Sequence, residues 1–208
     1  MARISKGFAD AMSGRVGNVI VSSWKGIQYI KAHHKPRTEK ISAKEKANRQ
    51  KFRAAHQWLA PLLEFVRRGY HGYSPTVEGF LAAKSYLLKN AMDADGTVNS
   101  SLMKVSSGHL PLSENIAASM RSDGKLEFTW NPRSVRGGSD RDQVMLLAYS
   151  PEKSIAMYTI NGEFRESGSA ILEPQMGGGD LAHVYVAFVA EDRSTQSDSI
   201  YLGQIAFT

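Results

Sequence analysis

The sequence predicts an α+β fold: a small β-hairpin and two helices over residues 1–104, then an immunoglobulin- or fibronectin-like antiparallel β-sandwich over residues 105–208. Three observations predict it. Glycines at 7, 14 and 17 lead into two β-prone runs around a turn. Apolar residues then recur at helical spacing from Phe52 to Ala91. Behind Ser106-Ser107-Gly108 the period changes to two, and seven or eight short β-prone runs follow, each closed by a turn signal.

In chain order, Val19-Ile20-Val21 and Ile27-Gln28-Tyr29-Ile30-Lys31 flank Ser22-Ser23-Trp24-Lys25-Gly26, which reads as a hairpin. A hairpin that small is not stable alone and must pack on something. A linker, His33–Thr38, follows, with Pro36 biasing the residues before it toward extended geometry. Ser42-Ala43-Lys44-Glu45 is a capping box that opens a helix. Phe52, Ala55, Leu59, Leu62, Leu63 and Val66 mark its inner face, and Pro61, costing about 3 kcal/mol inside a helix, predicts a kink or a restart. Ser74-Pro75 predicts the start of the second helix, with Val77, Phe80, Leu81, Leu88 and Ala91 on its buried side and Lys84 as the exception. Asp95-Gly96 and polar residues 99–101 close the front half, so a protease should cut between Asp95 and Ser107 and release a stable all-β fragment.

In the rear half, Leu110 and Leu112 lead in. Ile116–Met120 and Leu126–Trp130 flank Ser122-Asp123-Gly124-Lys125, a strong hairpin signal. Val144–Tyr149 and Ile155–Ile160 form the next pair, Ala170-Ile171-Leu172 comes after Gly168, and Val184–Val189 and Ile200–Ile205 flank the polar loop 191–199. Trp130 is the kind of large residue that such sandwiches bury.

Composition narrows function. Among 208 residues, 42% are apolar and 22% charged, ordinary for a folded protein. There is no cysteine, which removes disulfides, thiolate catalysis and cysteine-bound zinc. No stretch approaches the roughly 18 apolar residues needed to span a bilayer, and the opening residues hold no secretory signal. The cytoplasm is therefore the default expectation, with a virion or a signal-independent extracellular assembly as the alternative. The net charge of +6 is uneven: residues 1–72 hold 15 Lys/Arg against 4 Asp/Glu, and residues 73–208 hold 11 against 16.

The runs Ser13–Val19, Ser22–Ile27, Tyr29-Ile30-Lys31 and Arg49-Gln50-Lys51-Phe52 resemble a widespread family of uncharacterised Bacteroidota proteins, and the tail Ser199–Gln204 is similar to that family's C-terminal end. The resemblance covers nearly the whole chain and implies no known activity. More loosely, the glycine-rich hairpin, the Pro36-Arg37-Thr38-Glu39 linker and the basic helix with Arg49 and Phe52 are similar to the front of some phage virion proteins.

No residue set reads as an active site, so no enzyme, no cofactor and no small-molecule substrate is expected. The six histidines show no paired i, i+4 spacing, and His33-His34 reads as exposed linker. Asp93-Ala94-Asp95-Gly96 mimics part of a calcium loop, but glycine arrives early and Lys104 stands where the bidentate Glu belongs; no bound metal is expected. Gly177-Gly178-Gly179 lacks a following Lys-Ser/Thr and reads as a turn, and no serine sits in a nucleophile elbow. Asp140 and Asp142, near Arg136 and Arg141, read as solvated charge.

Two partners fit the basic front. Self-assembly is the first: Val19, Val21, Trp24, Ile27, Tyr29 and Ile30 place apolar area on both faces of a hairpin, suited to strand addition or to head-to-tail contact with an acidic rear. Nucleic acid is the second, held by Arg15, Lys25, Lys31, Arg49 and Arg53, with Arg3, Lys6 and Lys44 nearby in sequence and Trp24 and Tyr29 available to stack bases. No helix-turn-helix, RNP or OB pattern supports it. A monomeric partner-binding module is the remaining reading.

Overall fold

A computed structural model of the chain describes residues 2–3, 13–24, 26–34, 40–133, 135–173 and 175–207. Most of the linker His33–Thr38 lies outside the described residues. Contacts divide the chain into two compact units, Met1–Ser42 and Ala43–Thr208. The break in packing therefore falls where the first helix starts, and not at residue 104.

The first unit is a four-stranded antiparallel sheet. Its strands are β1 (Ala2–Arg3), β2 (Gly14–Val16), β3 (Val19–Trp24) and β4 (Ile27–Ala32), in the order β1-β4-β3-β2. The expected hairpin is β3–β4. A second one precedes it, in which Gly17 at φ 60° and Asn18 reverse the chain between Val16 and Val19. Gly-Asn between two β-prone residues is itself a two-residue turn signal.

The second unit begins with helices. They are α1 (Ala43–Leu59), a 3-10 turn (Ala60–Leu62) holding Pro61, α2 (Leu63–Gly69) and α3 (Gly79–Asn90). The restart expected at Pro61 is present. The start expected at Ser74-Pro75 is not: α3 begins at Gly79, where an added Cβ would stand 2.8 Å from the Arg67 carbonyl oxygen. Only glycine lets this end of α3 approach α2 so closely. Of the expected buried side, Ala91 is buried and Phe80 and Leu88 pack against the core, with Ala82, Ala83 and Leu87 buried beside them, while Val77 and Leu81 are exposed. Phe52 is likewise exposed, and Trp58 and Phe65 take the inner positions instead.

Seven strands follow: β5 (Ala117–Met120), β6 (Leu126–Thr129), β7 (Gln143–Ser150), β8 (Ile155–Thr159), β9 (Ser169–Leu172), β10 (Leu181–Val189) and β11 (Ile200–Ala206). They form a three-stranded sheet, β5-β6-β9, and a four-stranded sheet, β11-β10-β7-β8, all antiparallel. Between the sheets lies one core, where Leu126, Phe128 and Leu172 meet Val144, Leu146, Val184, Val186 and Phe188. Trp130 is buried there, donating from Nε1 to the Arg165 carbonyl oxygen at 2.7 Å and standing edge-on to Phe188.

The four-stranded sheet has a second cover. The alternate residues Met145, Leu147 and Tyr149 of β7, and Tyr185, Ala187 and Val189 of β10, pack against Leu59, Leu62, Phe65, Val66 and Leu87 of the helical layer. Strands buried on both faces read as continuous apolar runs, as Val144–Tyr149 and Val184–Val189 do. Polar bonds fasten the layers. Tyr149 donates to the Trp58 carbonyl at 2.9 Å and Tyr185 to the Ser100 carbonyl at 2.6 Å, and burial pushes the Tyr149 phenol up to about 12.

The stretch expected to be a cleavable boundary is bonded on both sides. The Ser106 hydroxyl donates to Gly69 and Ser197 carbonyls at 3.1 and 2.7 Å as alternative partners, and Val105 N–H donates to the Ser199 hydroxyl at 2.9 Å. Lys104 pairs with Asp198 at 2.5 Å. Residues 104–106 thus join α2 to the strand pair β10–β11.

Asp142 also departs from expectation. It is 2% exposed, and its Oδ2 accepts from Arg165 at 3.0 Å. Arg165 is fully buried, donates to the Ser113 hydroxyl and to the Pro111 and Ser139 carbonyls, and lies over the Phe188 ring at 4.3 Å. The sequence offers no period or motif that joins residues 23 positions apart in two loops.

Two outcomes follow from this packing. A fragment of residues 43–208 should unfold as one cooperative transition by circular dichroism, while residues 105–208 alone should aggregate, because the helix-facing side of β7 and β10 is bared. A soluble, cooperatively folded 105–208 fragment would show that the helical cover is dispensable. Arg165→Met leaves the buried Asp142 carboxyl with the Ser139 N–H as partner but no cation, and should cost about 3–5 kcal/mol in urea denaturation; a loss below about 1 kcal/mol would show the pair to be replaceable.

Candidate assembly surface on the first sheet

Strand register sorts the first unit's side chains into two faces, since successive residues alternate. Across β2, β3 and β4, one face carries the rows Val16–Val19–Ala32, Gly14–Val21–Ile30 and Ser23–Gln28. It holds no charge. The other carries Arg15–Ile20–Lys31, Ser22–Tyr29 and Trp24–Ile27. It is basic and aromatic, and the Lys31 ammonium lies 5.9 Å from the Tyr29 ring centroid.

Every described side chain from Ser13 to His34 is exposed or half-buried, and none joins a core. Val16 is 65% exposed, Trp24 56%, Ile27 44% and Val19 39%. A sheet of this size gains independent stability from a covered apolar face.

The six residues expected to serve assembly are thereby split. Val19, Val21 and Ile30 share the uncharged face; Trp24, Ile27 and Tyr29 share the basic one. Strands β3 and β4 are interior strands, flanked by β2 and β1, so strand addition directly to the β3–β4 hairpin is blocked where those neighbours pair. Val16, Ile20 and Ala32 complete the faces and were not singled out by the hairpin alone; the Gly17-Asn18 turn is the signal that adds Val16.

The five basic candidates are split as well. Arg15 and Lys31 are exposed at the two ends of one cross-strand row. Lys25 and Lys6 lie outside the described residues. Arg49 and Arg53 are exposed on α1, in the other unit, and Arg49 pairs with Glu45 at 2.8 Å, as a solvated helix face does.

In the second unit a cleft of about 750 Å³ lies among Trp58, Tyr149, Glu152, Leu181, His183 and Gln204. The His183 Nδ1 stands 2.9 Å from the Tyr201 hydroxyl and its Nε2 3.4 Å from the Gln204 amide nitrogen. Burial lowers the His183 pKa from its ordinary 6.5, against a smaller opposing pull from Glu152. Asp95, in the calcium-like stretch, accepts from the Thr97 amide and hydroxyl. Among the described residues, no group of three or more His, Asp or Glu could hold a metal, and no helix is long and apolar enough to cross a membrane.

The chain belongs to a family of unknown function, DUF6266, which matches residues 11–203. No curated protein matches it.

A pH dependence follows from His183. Its folded pKa is depressed, so the unfolded chain binds the proton more tightly, and stability falls as pH drops below about 6.5. His183→Gln should flatten that part of the stability-against-pH curve measured by thermal melting. An unchanged slope would assign the titration to another group.

Proposed function

We propose that this protein is a non-enzymatic assembly module, in which residues 43–208 are a folded body and the first sheet docks against a second copy. One observation carries the reading: a four-stranded sheet whose described side chains are all at least partly exposed, with an uncharged apolar face of Val16, Val19, Val21, Ile30 and Ala32. An uncharged face meets its own copy without repulsion. The opposite face would set Arg15 and Lys31 against their like.

Charge by unit changes the expected mode of contact. Residues 1–42 hold 8 Lys/Arg against 2 Asp/Glu, the whole net charge, while residues 43–208 hold 18 of each. Head-to-tail attraction to an acidic rear loses its basis, because the rear strands share a unit with the basic helices. Sheet-to-sheet apolar contact is the mode we adopt. The strand order β5-β6-β9 over β8-β7-β10-β11 also supports a fibronectin-like sandwich as the core of the body. A virion-like or filamentous role is one setting in which such a module would serve.

The test is light scattering with negative-stain microscopy on the full chain. We expect species larger than a monomer that persist at about 1 M salt, where the Debye length is about 3 Å. Residues 43–208 should be monomeric. Val19→Asp should weaken association at least about tenfold, since an apolar side chain contributes about 1.5–3 kcal/mol on burial. A full-length chain that stays monomeric up to high concentration would overturn the proposal.

A further inference from the structure

We propose that the basic face of the first sheet binds single-stranded nucleic acid, an activity separate from assembly through the opposite face. Register places Arg15 and Lys31 at the two ends of one row with Ile20 between them, about 10 Å apart at the spacing of three neighbouring strands. Tyr29 and Ser22 form the next row and Trp24 and Ile27 the one beyond. Two cations thus close one end of a lane whose next rows carry Tyr29 and Trp24. Base stacking on aromatic rings beside phosphate-binding cations is how single strands are held without sequence preference.

Charge supports a polyanion as the occupant. From Ala11 to Thr38 the sequence has no Asp or Glu, and residues 1–42 carry the protein's entire net charge of +6. Arg15 donates from its Nε to the Gly17 carbonyl at 2.9 Å, which holds the side chain at the turn, and the residue is exposed. The aromatic rings favour a single strand over a duplex, whose stacked bases offer them no face.

The experiment is fluorescence anisotropy of the full chain with labelled oligothymidylate of about 20 nucleotides, beside its duplex and beside heparin, a polyanion without bases. We expect the single strand to bind best, with log K falling against log salt by about 0.7 per phosphate contacted. Arg15→Ala and Lys31→Ala should each reduce that slope. Tyr29→Leu should weaken oligothymidylate about five- to a hundredfold and leave heparin unchanged, while Tyr29→Phe retains binding. Val19→Ser, on the other face, adds no charge and should weaken assembly while leaving the intrinsic oligonucleotide affinity intact. Three results would overturn the proposal: no binding at low salt, equal effects of Tyr29→Leu on heparin and oligonucleotide, or a larger loss from Arg49→Ala with Arg53→Ala than from Arg15→Ala with Lys31→Ala.

Discussion

Strands β7 and β10 have no face to spare, and the organisation of residues 43–208 depends on that. Val144, Leu146 and Ala148 look to the three-stranded sheet while Met145, Leu147 and Tyr149 look to the helices. Removing either cover would expose several large side chains, each worth about 1.5–3 kcal/mol on burial, against a typical total stability of only 5–15 kcal/mol. The helical layer thus closes a second core on the other face of the same sheet and belongs to the same unit. The phenols of Tyr149 and Tyr185 and the bonds of Ser106 tie the layers across the same seam. They supply direction to an attachment that apolar contact alone would leave free to slide.

The first unit lives under the opposite condition. It has hydrogen-bonded strands and well-placed turns, with Gly14, Gly17 and Gly26 all at positive φ, yet none of its described side chains is buried. Backbone pairing contributes little net free energy because unfolded strands bond to water instead. A sheet so built is stabilised by whatever covers it.

Much of this was legible in the sequence, and the exceptions have physical causes. All seven strands of the second unit stand where β-prone runs and turn residues predict them, since Asp123-Gly124 and Pro151-Glu152 act locally. The domain boundary was not legible. Polar residues 95–107 carry a linker's composition, but their bonds go to Gly69, Ser197 and Ser199, partners that lie far off in sequence. The unbroken apolar runs of β7 and β10 were the available signal, because a strand facing water on one side would alternate. Arg165 and Asp142 were hidden for a related reason: a buried ion pair between two loops leaves no periodic trace. Of the candidate surface, β3 and β4 were legible, and the sorting into two faces had to wait for the register.

The charge distribution shows why the position of a boundary matters to function. Counted by sequence halves, the chain looks like a basic head and an acidic tail, an arrangement that invites polar, salt-sensitive polymerisation. Counted by packing units, residues 43–208 have no net charge and residues 1–42 hold the whole +6, of which Arg15 and Lys31 lie on the face opposite the uncharged one. In the proposed assembly, attraction between copies would come from the uncharged face, since two sheets of like net charge repel at long range. A polyanion lying on the basic face would neutralise the repulsion and bring copies closer, so the two faces of one small sheet would act in the same direction.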